Sequence, residues 1–176
     1  MISERAKDSI GRIFAGAAST RLPIAEGHAC EIVERDGGAS PLQAQVVVLT
    51  ISSMQFRLLL LLHFDDDTGM RDYYASDASF PVADTFMEVA NLCCGAMNQQ
   101  LVEHFPDLGM STPYTLNSHC VPYLTELKPD HLASYDVSIN GSVQIGATLC
   151  VCTAAPLDFI ANEAVAAESG GELELF

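Results

Sequence analysis

Apolar and polar positions alternate along the chain with two different periods. Stretch 81–105, PVADTFMEVANLCCGAMNQQLVEHF, carries apolar residues at the spacing of an α-helix, and 2–18 shows the same period. Two nearly continuous apolar runs, 42–51 and 55–64, are typical of strands that are covered on both faces. The pattern therefore predicts a helix at 2–18, a long helix at 81–105 and a central strand pair between them.

Weaker apolar runs predict the remaining elements. Further strands are expected at 28–34, 112–120, 131–140 and 142–153, a helical turn at 71–78 and a final short helix at 156–167. Asn140-Gly141 is a strong two-residue hairpin turn between the last two strands. Three acids before Gly69 favour a solvated turn over a calcium loop, because the twelve-residue ligand pattern of an EF-hand is lacking.

These elements predict an α+β fold with a largely antiparallel sheet, covered by the helices at 2–18 and 81–105. No linker divides the 176 residues, so we expect a single domain over 1–176, with an acidic end at 168–176 that frays. Thoroughly apolar strands also favour a homodimer, since their surface exceeds what one domain easily covers.

The net charge and the positions of the cysteines exclude some classes of partner and indicate reduced thiols. A formal net charge of −15 argues against nucleic acid and anionic membranes as partners, because both require cationic contacts. Charges near the N-terminus interrupt any secretory signal, and Ser52 and Arg57 interrupt the apolar region 46–64 that resembles a membrane span. The six cysteines lack C-x-x-C spacing, so reduced thiols in a cytoplasmic protein are expected.

The polar side of the long helix is the candidate site. It carries Asp84, Glu88, Asn91, Asn98 and Gln99, with Gly95 among them, while Ser79 is the expected N-cap and Pro81 the first helical residue. A glycine inside a helix exposes backbone, so another molecule could approach closely there. An amide at position 91 cannot act as a base, but it can orient a water molecule for phosphoryl transfer.

Several of these residues form a pattern that resembles the CheC/CheX/FliY phosphatases of bacterial chemotaxis. The pattern is Glu88-x-x-Asn91 with Asp84 four residues earlier, Gly95 four residues later and Pro113 downstream. The chain has one such helix, which is similar to CheX and unlike CheC. Many relatives have Asn after the motif glycine, where this chain has Ala96.

The resemblance implies dephosphorylation of the aspartyl phosphate of a CheY-like receiver domain. Glu88 and Asn91 would be the catalytic pair, with Glu88 engaging a lysine of the receiver and Asn91 orienting the attacking water. Asp84, Gly95, Asn98 and Pro113 would contact the partner. No cofactor of the chain's own is implied, because the phosphorylated partner would supply Mg²⁺.

Two other readings remain open. The chain could be a non-catalytic module that binds a receiver or a flagellar switch protein, which the Ala96 departure favours. It could also sense a small ligand in a pocket between its layers, since ligand-binding and core residues look alike in one sequence. Without the family pattern, the polar helix side would be read as a solvated surface.

Overall fold

A computed structural model describes residues 1–35, 43–75 and 81–161. Within these ranges the helices are α1 (Glu4–Arg21), α2 (Thr68–Tyr74) and α3 (Val82–Leu101). The strands are β1 (Cys30–Glu34), β2 (Gln45–Ser52), β3 (Phe56–Phe64), β4 (Gly109–Met110), β5 (Tyr114–Asn117), β6 (His131–Ile139) and β7 (Val143–Thr153). A 3-10 helix, Ser118–Leu127, lies between β5 and β6. The predicted α+β class is confirmed.

One antiparallel sheet organises the described residues. Its strands follow the order β1-β6-β7-β3-β2, and the short strands β4 and β5 both pair with the outer side of β2. The longest ladders join β3 to β7 and β6 to β7. The two apolar runs of the sequence therefore lie inside the sheet, as predicted.

The two faces of the sheet are covered differently. On β2, Val47, Leu49 and Ile51 point into the main core, which they share with the three α-helices. Alternate residues such as Val46 and Val48 point to the opposite face, where the 3-10 helix packs against them. Both faces are thus covered near the middle of β2, but the helical layer lies on one face only.

Helix α3 is shorter than the sequence predicts. It begins at Val82, because Pro81 takes an extended conformation as the N-cap residue and has no side-chain hydrogen bond there. It ends at Leu101, and the backbone N–H of Val102 still donates to Asn98. The predicted end at Phe105 is wrong, and the predicted cap Ser79 lies outside the described residues.

The turn between β6 and β7 lies at Asn140-Gly141, as predicted, but the connection is three residues long and not two, because Ile139 pairs with Val143. Asn140 and Gly141 have positive φ angles, 51° and 67°, and the backbone N–H of Ser142 donates to the carbonyl oxygen of Ile139. The Asn140 side chain also accepts a hydrogen bond from the backbone N–H of Ala29 at 3.0 Å. This contact ties the start of β1 to the hairpin.

Two predictions near the sheet edge and the C-terminus are wrong. The strand expected at 112–120 is only β5, and the chain then enters the 3-10 helix instead of continuing. Residues 156–161 are not helical, and Leu157 instead forms a bridge to Ile2. The rest of that predicted helix and the acidic end lie outside the described residues.

The acidic turn before α2 has a structural role. Asp67 caps the helix by accepting from the backbone N–H of Met70 at 2.8 Å, while Asp66 forms an ion pair with Arg71. Asp65 accepts a hydrogen bond from the backbone N–H of Ala44. These contacts account for all three acids.

His63 is a buried titratable side chain in β3. It is fully shielded from solvent, and its Nε2 lies 3.0 Å from the Thr148 hydroxyl. Burial is the larger cause and the charge of Arg35 the smaller one, and together they lower the pKa of His63 to about 4. The folded protein therefore holds this imidazole neutral.

We expect acid to destabilise the fold through His63. The unfolded chain binds the proton near pH 6.5 and the folded protein only near pH 4, so this contribution is complete above pH 6.5. It is lost as the pH falls through this window, by up to about 3 kcal/mol. Urea unfolding of wild type and His63→Gln between pH 7 and pH 4 measures the difference. His119→Gln, at an exposed position, is the control and should keep the wild-type slope.

Candidate functional site

Helix α3 owes its orientation to an apolar side that is completely buried. The helix packs against α1, α2, β2 and β5. Its buried residues recur at helical spacing and are Val82, Phe86, Ala90, Cys93, Cys94, Met97 and Leu101. Burial of this side fixes the rotation of the helix, so the opposite side faces outward.

The predicted site residues lie on the outward side of α3. Asp84 and Glu88 are exposed, whereas Asn91 and Asn98 are half-buried. Glu88 and Asn91, three residues apart, are neighbours on the helix surface. The side chains of Asp84, Glu88 and Asn91 form no hydrogen bond or ion pair with the described residues. They are available to another molecule, and the structure brings them together on one helix.

Gly95 is not required by packing within the chain. A Cβ atom added at this position would meet no atom within 4 Å. Glycine in a helix interior costs about 0.5–1 kcal/mol relative to alanine. The open space thus leaves a strip of bare backbone one turn beyond Asn91, and nothing in the described chain uses it.

Pro113 lies in a bulge at the edge of the sheet. Ile51 of β2 pairs with Met110, and Val48 pairs with Tyr114, so two residues of β2 face three of the partner strand. The extra residue falls in Ser111–Pro113, directly before β5. Because α3 packs against β5, the bulge and the candidate helix lie on the same side of the molecule.

Two features of α3 were not evident from the sequence. Leu92, directly after Asn91, is 56% exposed and adds an apolar side chain to the outward side. The Oδ1 atom of Asn98 is shielded from solvent and has no hydrogen-bond partner among the described residues. The exposure of Leu92 could have been inferred from its position on the helix. The shielding of the Asn98 side chain could not, because it depends on how other elements pack around it.

The thiols of α3 are excluded as nucleophiles. Cys93 and Cys94 are fully buried, and burial raises the pKa of both, that of Cys94 to about 12. Helix α3 carries two carboxylates, Asp84 and Glu88, and no lysine or arginine. The chemistry that this side offers is an amide, a carboxylate and exposed backbone.

A resident metal site is not evident in the described part of the chain. No group of three or more His, Cys, Asp or Glu side chains there could hold a metal ion. No helix within the described ranges is long and apolar enough to cross a membrane.

A cavity of about 270 Å³ is lined by Arg57, Cys152 and their neighbours, and not by residues of α3.

We expect Gly95→Ala to stabilise the isolated protein. The new methyl group meets no neighbour, and alanine loses less backbone entropy on folding, so the free energy of unfolding should rise by about 0.5–1 kcal/mol. Gly16→Ala in α1, where a Cβ also meets nothing, is the matched control and should give a similar gain. Thermal unfolding measures both. A loss of stability in Gly95→Ala alone would show that the chain itself needs this glycine.

Three solved structures of chemotaxis and flagellar proteins share this fold. The first is CheX from Vibrio vulnificus, at 13% identity and a TM-score of 0.60, covering 81% of this chain and 99% of that chain. The second is the CheX of the CheX-CheY-BeF3-Mg²⁺ complex from Borrelia burgdorferi, at 12% identity and 0.58, covering 83% and 97%. The third is the FliM middle domain from Vibrio alginolyticus, at 7% identity and 0.53, covering 82% and 92%.

These similarities establish the fold that the resemblance implied. A CheC-like protein from Shewanella also shares it, at 10% identity and a TM-score of 0.54, covering 85% of this chain and 99% of that chain. No protein-family model matches the sequence, and no curated protein matches it. The described part of the chain therefore has the CheX/CheC-like α+β fold.

Proposed function

We propose that the protein dephosphorylates the aspartyl phosphate of a CheY-like receiver domain. The observation that carries this proposal is the joint display of Glu88 and Asn91 on the outward side of α3. Neither side chain is engaged by the described residues, and Gly95 leaves open backbone beside them. In the Borrelia burgdorferi protein of the same fold, CheX is bound to CheY with BeF3 and Mg²⁺.

The proposed reaction is hydrolysis of an acyl phosphate on the partner. Water attacks the phosphorus, the bond from phosphorus to the aspartate oxygen breaks, and the products are inorganic phosphate and a free carboxylate. Asn91 does not titrate, so its role is to hold this water in line with the breaking bond. The receiver carries both the phosphoryl group and the Mg²⁺ that neutralises its charge.

Glu88 and the remaining residues have supporting roles in this proposal. The exposed carboxylate of Glu88 pairs with a lysine of the receiver and thereby sets the position of Asn91. Asp84, in the first turn of α3, interacts favourably with the helix dipole and lies at the rim of the contact. Gly95 allows close approach, and Asn98 and Pro113 extend the contact surface.

A non-catalytic module is the second candidate. Ala96 stands where many relatives have Asn, and it is half-buried beside Gly95. The FliM middle domain shares the fold as well, so the fold alone does not separate an enzyme from a binding protein. On this reading the same side of α3 binds a receiver or a flagellar switch protein without hydrolysis.

We expect Asn91→Ala to abolish most of the acceleration of receiver dephosphorylation. Loss of the residue that positions water should lower the rate by about 100-fold, and Glu88→Ala should also lower it. The measurement is the decay of radiolabelled phosphate on purified CheY-like receivers. Gln100→Ala, another amide on α3 but outside the outward group, is the control and should retain full activity.

Gly95→Ala tests whether Gly95 is needed for binding to the receiver and not for the stability of the fold. It should weaken binding to a receiver activated by beryllium fluoride and Mg²⁺, although the same change stabilises the isolated protein. Gly16→Ala should leave binding unchanged. Tight binding without faster phosphate decay would favour the module, and the absence of both would refute the proposed function.

A further inference from the structure

The cavity of about 270 Å³ lies away from α3, at one end of the sheet. It is lined by Ser52, Ser53, Phe56, Arg57, Cys152, Thr153 and Ala154. Three of these residues are direct cross-strand neighbours, since Arg57 of β3 pairs with Ser52 of β2 and with Cys152 of β7. Their side chains lie on the face opposite the helical layer. A hydroxyl, a guanidinium and a thiol therefore stand side by side.

Arg57 is an available cation in a strongly acidic protein. The described ion pairs of arginine and lysine side chains involve Arg5, Lys7, Arg35 and Arg71. Arg57 is exposed and belongs to none of them. A guanidinium offers five N–H donors in a fork that matches a carboxylate. The cavity can thus attract an anionic group although the chain as a whole repels one.

Cys152 is the thiol that this cavity makes accessible. It is half-buried, and its thiol also contacts the Leu127 carbonyl oxygen at 3.8 Å. Its neighbour Cys150, two residues earlier on the same face, is fully buried, and burial raises the pKa of that thiol. Cys93 and Cys94, both on α3, are buried as well. Cys30 and Cys120 are half-buried like Cys152, but Cys152 is the half-buried cysteine that lines the cavity and pairs across the sheet with Arg57.

We propose that Cys152 is a site of thiol–disulfide exchange with small anionic disulfides, which Arg57 orients by their carboxylates. The thiolate of Cys152 attacks one sulfur of the disulfide, and a new S–S bond forms as the original one breaks. The other half leaves as a thiolate and takes up a proton, so Cys152 loses its proton and becomes a mixed disulfide. The ligand class is a low-molecular-weight disulfide with free carboxylates. This inference does not depend on the proposed function.

The test uses glutathione disulfide as the anionic probe and 2-hydroxyethyl disulfide as the neutral one. Intact mass of the folded wild-type protein should show one glutathione, and peptide mapping should place it on Cys152. Cys152→Ser should lose the adduct, whereas Cys120→Ser, at another half-buried cysteine, should keep it. Thermal unfolding confirms that each variant is folded.

The role of Arg57 is read from the ratio of two rates. Arg57→Gln should slow the reaction with glutathione disulfide about fivefold, the effect of one charge at contact distance, and leave the neutral probe unchanged. Arg21→Gln removes an exposed charge from α1 and should change neither rate. An adduct mapped to another cysteine, or equal slowing of both probes in Arg57→Gln, would overturn the proposal.

Discussion

Burial of one side of α3 is the constraint on which the candidate site depends. Phe86, Ala90, Met97 and Leu101 are fully shielded against the sheet and the neighbouring helices. Each fully buried Phe, Met or Leu side chain contributes roughly 1.5–3 kcal/mol, so rotating the helix would expose several of them at once. No side-chain hydrogen bond or ion pair with another described residue holds Asp84, Glu88 or Asn91 outward. They face outward because the apolar side of α3 is buried against the sheet and the neighbouring helices.

The sequence predicts those elements whose conformation follows from their local residue pattern. It fails for segments in which contacts with distant parts of the chain override the local pattern. β2 and β3 are continuous apolar runs, and Asn140-Gly141 has the residue types that a type I′ turn requires, so each was located correctly. The strand predicted at 112–120 should continue to residue 120, but the chain enters a 3-10 helix at Ser118 that covers the face opposite the α-helices and contributes Val121 and Leu124 to a second core. Residues 156–161 look helical locally, yet the bridge of Leu157 to Ile2 fixes an extended path.

The candidate site likewise has features that the local sequence pattern predicts and features that depend on packing. The outward position of Asp84 and Glu88 follows from periodicity, because the angle between residues of a helix is known. The space around Gly95 and the shielding of Asn98 depend on how separate elements pack, and no spacing in the sequence encodes this. Pro113 is a candidate contact residue only because the sequence pattern resembles that of the CheC/CheX/FliY family. Its place in a bulge depends on the pairing register of β2, which is a property of the folded sheet.

The bulge also bears on how the protein meets copies of itself. An uninterrupted edge strand presents a row of backbone donors and acceptors that another sheet can extend. Here the row is broken between β4 and β5, where a proline ring replaces an N–H and the two short strands do not share one register. Sheet-to-sheet growth is thereby disfavoured at the border nearest α3.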